Sequence, residues 1–273
     1  MLIDCIPTDR HARRFARRAC SAVALALAGA SLSVASPASA QNLATNGTFA
    51  ITGGTTSFAF AGYITAGAGE SLAGWTYSTT GTSPGSAFDF VSGQTSANTS
   101  QGIQQILPVT ITAPGSSNFI GFDAAWAETP NQYEISQTIS GLTPGATYNL
   151  SFAWGLSQWY GYGDGTPTDQ DTVNWTATLS SAQGSTSKTT STASVSQQGF
   201  SGWVTSTFTY VANSASETLT FLDTGATGQP PLALLTNVSL TKAPEPVSIA
   251  LLGTGLVGLM GAARMRRVPK SKK

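Results

Sequence analysis

The fold of this chain is indicated by the stretch Thr147-Tyr148-Asn149-Leu150-Ser151-Phe152-Ala153-Trp154. Its large apolar residues occupy every second position, and small or polar residues stand between them. Successive side chains of a β-strand point to opposite faces, so this spacing predicts a strand with one buried face. A helix would instead show apolar residues three and four positions apart.

The same alternation recurs between residues 42 and 241, a region dominated by Gly, Ser, Thr and Ala. It is found at Val173, Trp175, Ala177 and Leu179, at Phe208 and Tyr210, at Leu219 and Phe221, and from Leu234 to Leu240. Turn signals separate the runs, at Leu142-Thr143-Pro144-Gly145 and at Gly225-Ala226-Thr227-Gly228, and residues 184–198 suit a loose hairpin or an edge strand. We therefore predict an all-β domain, a β-sandwich or jelly roll in which one buried face per strand builds the core.

Charge is segregated along the 273 residues. Five arginines lie between Arg10 and Arg18, and six basic residues lie between Arg264 and Lys273. Between residues 41 and 243 ten acidic residues stand against two lysines, which leaves a net charge of −8. Such a domain has no basic face to replace the counterions of phosphate groups, so we expect no nucleic-acid partner.

The N-terminus has the three parts of a signal peptide. Its arginines are followed by an apolar, Ala-rich run, and then by small residues at Ala38 and Ala40 before Gln41. We predict that signal peptidase cleaves after Ala40 and removes residues 1–40; the alternative is an N-terminal membrane anchor. Both cysteines and the only histidine lie in this segment. The mature protein would then have no disulfide, no Cys or His metal ligand and no Ser-His-Asp triad.

The C-terminus contains a second targeting pattern. The tripeptide Pro244-Glu245-Pro246 precedes an uncharged apolar run, residues 247–263, and a basic tail, residues 264–273, that includes Arg264, Arg266 and Arg267. The apolar run is just long enough for a single transmembrane helix, and the basic tail would keep its end in the cytoplasm. A buried core helix, the alternative, would show a polar face. The pattern therefore predicts an exported domain, residues 41–243, that is tethered to the inner membrane.

The tripeptide, the apolar span and the basic tail, in this order at the extreme C-terminus, resemble the PEP-CTERM sorting signal of Gram-negative bacteria. The resemblance implies that an exosortase, a membrane-embedded transpeptidase-like enzyme, recognises residues 244–273 and removes the tail. It also implies a final location at the cell surface or in the extracellular matrix, in bacteria that make exopolysaccharide. The tail is longer here than usual, by residues 268–273.

The domain between the two signals resembles a second family. Its motifs, in order, are Asn42-Leu43-Ala44-Thr45-Asn46-Gly47-Thr48-Phe49, Gly74-Trp75, Gln137-Thr138-Ile139, Gly145-Ala146-Thr147-Tyr148, Phe152, Phe208-Thr209-Tyr210, Leu219-Thr220-Phe221 and Leu235-Thr236-Asn237-Val238-Ser239-Leu240. This order is similar to that of the galactose-binding-like jelly rolls of secreted bacterial proteins and of a plant cell-wall family. The resemblance implies the fold and no particular function. An aspartate that is usual before Asn-Val-Ser is Thr236 in this chain.

A Gly-rich loop after Trp154 supplies the main candidates for ligand contact. Exposed aromatic faces are good platforms for sugar rings, because one face of a sugar ring is apolar while its hydroxyls reach nearby polar groups. The loop residues are Trp159, Tyr160 and Tyr162, and Trp126, with Asp123 and Glu128 beside it, is a further candidate for the same surface. The alternative is that these rings cap the open end of the sandwich.

Three carboxylates, Asp164, Asp169 and Asp171, follow within eight residues. Oxygen ligands of this kind suit a hard cation such as calcium, in a structural role, although their spacing does not match the EF-hand loop. The alternative is a solvated acidic turn. We expect no other cofactor.

Three functions are consistent with these features. The first is an exported matrix or surface protein that binds exopolysaccharide, and the second is a structural matrix protein without a specific ligand. The third is a glycan hydrolase that uses two carboxylates, for which Asp123, Glu128, Glu134, Asp164 and Asp171 are available. Because the sequence identifies no facing pair among them, we expect that the protein is not an enzyme.

Overall fold

A computed structural model describes residues 40–50, 72–79, 87–93, 107–115, 118–123, 133–158, 160, 170–196, 199–227 and 231–244. No helix occurs among these residues, which form eleven β-strands. The strands are β1 (Thr76–Thr79), β2 (Ala87–Val91), β3 (Asn118–Asp123), β4 (Tyr133–Ser140), β5 (Thr147–Gln158), β6 (Gln170–Ser181), β7 (Gly184–Thr189), β8 (Ala193–Ser196), β9 (Val204–Val211), β10 (Ser216–Thr227) and β11 (Pro231–Lys242).

The strands form two antiparallel sheets. The order in the six-stranded sheet is β1-β4-β10-β6-β7, with β8 also paired to β6, and the order in the five-stranded sheet is β2-β3-β11-β5-β9. Their inner faces pack together around the main hydrophobic core. The prediction of an all-β sandwich is therefore confirmed for the described residues.

The core is built by the alternation that the sequence shows. In β5 the side chains of Tyr148, Leu150 and Phe152 are buried, whereas those between them remain partly exposed. Aromatic pairs connect the two sheets: ring centroids lie 5.0 Å apart in the pair Phe152 and Phe221 and 5.5 Å apart in the pair Phe122 and Trp175. Burial of each such side chain contributes about 1.5–3 kcal/mol. Two facing rows of them are therefore enough to hold the sheets together.

The five-stranded sheet departs from the prediction of one buried face per strand. Its outer face carries a second apolar cluster, which the segment of residues 107–115 covers. The cluster consists of Phe88, Phe90, Phe119, Leu232 and Leu234 from the strands and Leu107, Ile111 and Ala113 from that segment. The prediction is wrong here because the alternation of a strand cannot reveal that a distant segment lies over its outer face.

Three local predictions can be compared with the structure. The turn at residues 142–145 is confirmed between β4 and β5. The edge position predicted for residues 184–198 is confirmed for residues 184–196 by β7 and β8, which pair with β6. The predicted turn at residues 225–228 is wrong for residues 225–227, because β10 continues to Thr227, which pairs with Thr172 of β6.

The two ends of the sandwich can be defined along strand β11. Along β11 the chain runs from Pro231, paired with Gln158, to Lys242, paired with Tyr148. We call the first end the loop end; the strand ends there are Asp123, Tyr133, Gln158, Gln170 and Pro231. We call the second end the tail end; Ser140, Thr147, Ser216 and Lys242 lie there.

One buried amide fastens the N-terminal segment to the core. The side chain of Gln137 in β4 accepts a hydrogen bond from Thr45 N at 2.8 Å and donates to Thr45 O and to Gly74 O, both at 2.9 Å. The indole of Trp75 donates to Thr45 O at 3.1 Å. These bonds pair part-buried backbone groups of Thr45 and Gly74 and so hold the N-terminal segment against β4.

Replacing this amide tests how much the fold depends on it. Gln137→Leu keeps the volume but leaves Thr45 N and Gly74 O without their partner in a part-buried site, so we expect a loss of about 2–4 kcal/mol of unfolding free energy. Urea unfolding of residues 41–243 measures it. Thr138→Ala, at the adjacent exposed position, is the control and should change stability by less than about 0.5 kcal/mol. A loss below about 1 kcal/mol in Gln137→Leu would contradict this role.

A second buried bond joins the sheets. The hydroxyl of Tyr210 in β9 donates to Ala177 O in β6 at 2.7 Å, and burial raises the pKa of Tyr210. Above about pH 10, the ordinary tyrosine pKa, the unfolded chain releases this proton while the folded protein holds it. The unfolded state then binds fewer protons, so stability falls as pH rises.

Tyr210→Phe should therefore have two effects. At neutral pH it removes the bond and lowers the unfolding free energy by about 1 kcal/mol. Above about pH 10 its stability should fall less steeply than that of the wild type, because the group that titrates is gone. Chemical unfolding at a series of pH values measures both, and Tyr160→Phe, at an exposed side chain, is the control. An unchanged alkaline slope in Tyr210→Phe would refute the assignment.

Candidate functional site

The residues predicted to contact sugars begin at the loop end. Strand β5 ends at Gln158, and Tyr160, two residues later, is 45% exposed. Trp159, Tyr162 and Trp126 lie outside the described residues. Their neighbours are nevertheless close, because β11 pairs through Pro231 with Gln158 and through Leu232 with Asp123. The strand ends that precede residues 124–132 and residues 159–169 are thus separated by one strand.

The predicted calcium ligands are only partly described. Asp171 lies in β6 with its side chain fully buried, so its placement in an acidic loop is wrong. The reason is that β6 begins at Gln170, where β8 pairs with it. Asp164 and Asp169 lie outside the described residues. Within the part of the chain that the structure describes, no group of three or more acidic, His or Cys residues could hold a metal ion.

The described residues nearest to the two predicted processing signals lie at the tail end of the sandwich. Leu43 N donates to Leu240 O at 2.8 Å, and the Asn42 side chain accepts a bond from Leu240 N at 2.8 Å. Gln41 and Pro244 are both exposed beside this pairing. Ala38, Glu245, Pro246, Arg264, Arg266 and Arg267 lie outside the described residues, as does the apolar run 247–263. The described ranges contain no helix that is long and apolar enough to cross a membrane.

The structure reveals a surface that sequence reasoning missed. On β9, Ser206, Phe208 and Tyr210 face the core, and Ser206 accepts a hydrogen bond from the Trp154 indole at 2.9 Å. Trp203, just before this strand, lies on the opposite side, where its ring meets Phe119 of the outer cluster. The sequence contains a signal for this position. Trp203 lies an even number of residues from Thr205, Thr207 and Thr209, so the alternation of a strand places it on their side and not on the side of the core residues.

The orientation of Trp203 is fixed by three contacts. Its indole Nε1 donates to Thr112 O at 2.9 Å, and its ring packs edge-on against Phe119, with centroids 5.4 Å apart, and against Phe200, at 5.6 Å. Trp203 and Phe200 remain partly exposed. Because the hydrogen bond and the ring contacts hold the indole in one place, the side chain loses little further conformational freedom when a ligand stacks on it.

The segment of residues 199–203 reaches this position through a close backbone approach. Phe200 forms a β-bridge with Ser157, and Ser201 N donates to Leu156 O at 2.9 Å. A Cβ on Gly155 would lie 2.8 Å from Gly202 O, so only glycine fits in β5 at this point. Phe200 therefore lies beside Ser157, which precedes Tyr160 by three residues in the chain.

A neutral polar surface continues from Trp203 along the sheet. Thr205, Thr207 and Thr209 of β9 are exposed, and the register places them beside Ala153, Ser151 and Asn149 of β5. Thr209 Oγ1 donates to Asn149 Oδ1 at 3.2 Å. We call Trp203, Thr205, Thr207, Thr209, Asn149 and Ser151 the β9 platform. It joins an oriented aromatic ring to hydroxyl and amide groups and contains no charged side chain.

This arrangement can recognise a flat, hydroxylated ligand. Hydroxyl groups both donate and accept hydrogen bonds, and an indole offers a large apolar face with a polar edge. Binding sites for small ligands typically combine such apolar contacts with a few polar groups in defined places. A sugar ring presents the matching combination, an apolar C–H face and a rim of hydroxyls.

The chain was compared with known proteins. No protein-family model matches it, and no curated protein does. Among solved structures it is similar to TmCBM61 in complex with β-1,4-galactotriose (13% identity over 63% of this chain and 90% of that one, TM-score 0.36). It is also similar to the CBM22-2 xylan-binding domain of Paenibacillus barcinonensis Xyn10C, with 9% identity over 63% of this chain and 94% of that one and a TM-score of 0.37. A third similar structure is the N-terminal cellulose-binding domain of Cellulomonas fimi β-1,4-glucanase C, with 12% identity over 63% of this chain and 91% of that one and a TM-score of 0.32.

Proposed function

We propose that this chain is an exported protein whose β-sandwich binds extracellular polysaccharide without catalysis. The observation that carries the proposal is Trp203, an aromatic side chain on the polar face of an edge strand, held by its bond to Thr112 O and bordered by exposed threonines. An aromatic residue in that position has no place in the main core. Tyr160 and the predicted contacts Trp159, Tyr162 and Trp126 would extend the surface towards the loop end.

The energetics suit a polysaccharide. Threonine side chains are restricted at χ1, so those of the β9 platform lose little conformational freedom when they bind. Each hydroxyl exchanges water for a sugar hydroxyl and gains little alone, whereas stacking on Trp203 buries apolar area. Several sugar units along one chain can repeat these contacts. We therefore expect weak binding per sugar unit and useful affinity for a polymer.

Charge narrows the class of ligand. Residues 41–243 carry a net charge of −8, and Lys188 and Lys242, their only basic residues, are both exposed and outside the β9 platform. A strongly anionic polymer would be repelled over distances up to about 10 Å at moderate salt. The favoured ligand is a neutral or weakly charged exopolysaccharide.

A hydrolytic role has less support. Glycosidases place two carboxyl groups on either side of the scissile bond, about 5–10 Å apart. Of the carboxylates considered from the sequence, Glu134 lies on the outer face of the six-stranded sheet and Asp171 is buried between the sheets, so these two do not face each other. The proposed protein therefore binds its polysaccharide and leaves it intact.

Export and sorting complete the proposal. Signal peptidase would remove residues 1–40, and an exosortase would recognise Pro244-Glu245-Pro246 and remove the tail. The exposed positions of Gln41 and Pro244 support access by both enzymes. β11 has twelve residues and spans about 35–40 Å, so the loop end would face away from the membrane while the tail is attached. After processing, the domain would reside at the cell surface or in the extracellular matrix.

The binding surface can be tested with two variants of residues 41–243. All members of both described apolar clusters lie between Ala44 and Leu240, so this segment contains its own core. Trp203→Ala should weaken binding to a soluble neutral polysaccharide about 30-fold or more, as truncation of a central aromatic contact does. Thr207→Lys, at an exposed position that should not affect folding, should also weaken it. Isothermal titration with xylan, hydroxyethyl cellulose and the neutral exopolysaccharide fraction of the producing organism measures both.

Tyr160→Ala separates the β9 platform from the loop. If this variant loses binding while Trp203→Ala and Thr207→Lys retain it, the ligand contacts the loop and the assignment to the β9 platform is wrong. No binding of the wild type to any of these polysaccharides would instead favour a structural matrix protein without a specific ligand. Urea unfolding of each variant shows whether the fold is kept.

Processing can be tested by intact-mass analysis of the protein from its producing organism. We expect a chain that begins at Gln41 and ends before Val247, because both signals are removed. Replacing Glu245 with Ala should leave the C-terminal tail attached and the protein in the membrane fraction. A wild-type mass that still includes residues 247–273 would disprove removal of the tail.

A further inference from the structure

The outer face of the six-stranded sheet is lined by hydroxyl groups in register. One row crosses five strands: Thr76 pairs with Ser136, Ser136 with Thr220, Thr220 with Thr178, and Thr178 with Ser187. These residues point outward, because their neighbours in the strands, such as Leu219 and Leu179, belong to the core. All five are at least partly exposed. We call the surface around this row the hydroxyl face.

The hydroxyls of this face are ordered by bonds between strands. Thr178 Oγ1 and Ser187 Oγ lie 2.8 Å apart, Thr176 Oγ1 and Thr189 Oγ1 lie 2.9 Å apart, and Thr176 Oγ1 also lies 3.1 Å from Thr224 Oγ1. A hydroxyl can make up to three hydrogen bonds, so each keeps capacity for a ligand. The hydroxyl groups of this face are thus held in place by one another before any ligand binds.

The charge of the face is unusual for an open sheet. Among the outward-facing residues of β1, β4, β10, β6 and β7 whose side chains the structure describes, Glu134 alone carries a charge. Exposed protein surfaces usually carry many charged side chains of both signs, which keep the protein soluble. Here short hydroxyls take their place. The face therefore lacks the charge with which it could attract a polyanion or a polycation.

The chemistry of the face also disfavours a protein partner. Protein interfaces derive most of their energy from aromatic, Met and Arg side chains in a buried centre, and no such residue is found among those outward positions. A neutral polyhydroxylated polymer fits better, because it can exchange hydrogen bonds along a whole row. Five strands spaced about 4.8 Å apart make the row about 20 Å long, enough for several sugar units.

We propose that the hydroxyl face is a second polysaccharide-binding surface, and that the domain cross-links neutral polysaccharide chains. The inference rests on the proposed function, since it adds a second contact to the β9 platform. The two sheets pack by their inner faces, so the two surfaces point in opposite directions. One chain cannot easily reach both surfaces of the same domain. Two chains held by one domain would be joined to each other.

The experiment compares residues 41–243 of the wild type with the double variant Thr178→Val and Thr220→Val. Valine keeps the shape and the β-propensity of threonine but removes the hydroxyl, so the fold should be retained. The probes are xylan, hydroxyethyl cellulose and the neutral exopolysaccharide fraction. Titration gives the number of chains bound, and the viscosity of the mixture reports cross-linking. Thr186→Val, on β7 but facing the other side, is the matched control.

The wild type should bind about two chains per domain and raise the viscosity, as expected for a bivalent binder. The double variant should bind one chain, through the β9 platform, and should not raise the viscosity. At the hydroxyl face itself we expect affinity to fall about tenfold, from the loss of two hydroxyls. Carboxymethyl cellulose, which is anionic, should bind more weakly than hydroxyethyl cellulose.

Two results would overturn the inference. A wild type that binds one chain, or a double variant that still cross-links, would show that the hydroxyl face is not used, and the β9 platform would stand. Self-association in sedimentation velocity that accounts for the viscosity would also exclude cross-linking by a single domain. Failure of the wild type to bind any neutral polysaccharide would be distinct, because it would reject the proposed function together with the inference.

Discussion

Partial covering of the outer face of the five-stranded sheet is the constraint on which the rest of this structure depends. The cover begins at Gly155, where the absence of a Cβ allows Gly202 and Phe200 to approach the backbone of β5. From this contact Phe200 and Trp203 are directed onto the outer cluster, beside the segment of residues 107–115. Where the cover stops, the same sheet presents threonines, serines and Asn149 to solvent. The β9 platform is the boundary between these two regions, which explains how it combines an aromatic ring with exposed hydroxyls.

Polar groups inside the sandwich serve mainly to hold segments in place. Gln137 binds the backbone of Thr45 and Gly74, and Tyr210 joins the sheets through Ala177 O. Thr236 donates to Asn118 O at 2.8 Å and so connects β11 with β3. A hydroxyl in that position avoids the burial of a further charge, which would be costly in a domain with only two exposed lysines. Under the proposed function, the acidic balance and the scarcity of basic residues favour neutral ligands at the outer surfaces.

Sequence reasoning predicted the parts of the fold that depend on local alternation. The buried positions of β6, of β10 and of the first half of β5 follow from it, because their buried apolar residues point towards one core. It failed where a second segment changes the environment of a strand. Ala153 and Ser157 lie on the outer side of β5 and are nevertheless buried, because residues 199–203 lie across them. Asp171 was assigned to a loop because its neighbours are polar, but pairing with Val195 of β8 makes it part of β6.

The amino-acid sequence by itself determined that the described domain is an all-β sandwich, because period-two alternation leaves a strand only one way to bury its large residues. It also determined the net charge of residues 41–243, since charge depends on composition alone. The tertiary structure decided which polar residues share a surface. Trp203 and Asn149 are distant in the chain and meet on one face only because β9 pairs with β5, and the hydroxyls of five strands align only through register. Pairing and register are set by contacts between remote segments, which no local pattern contains.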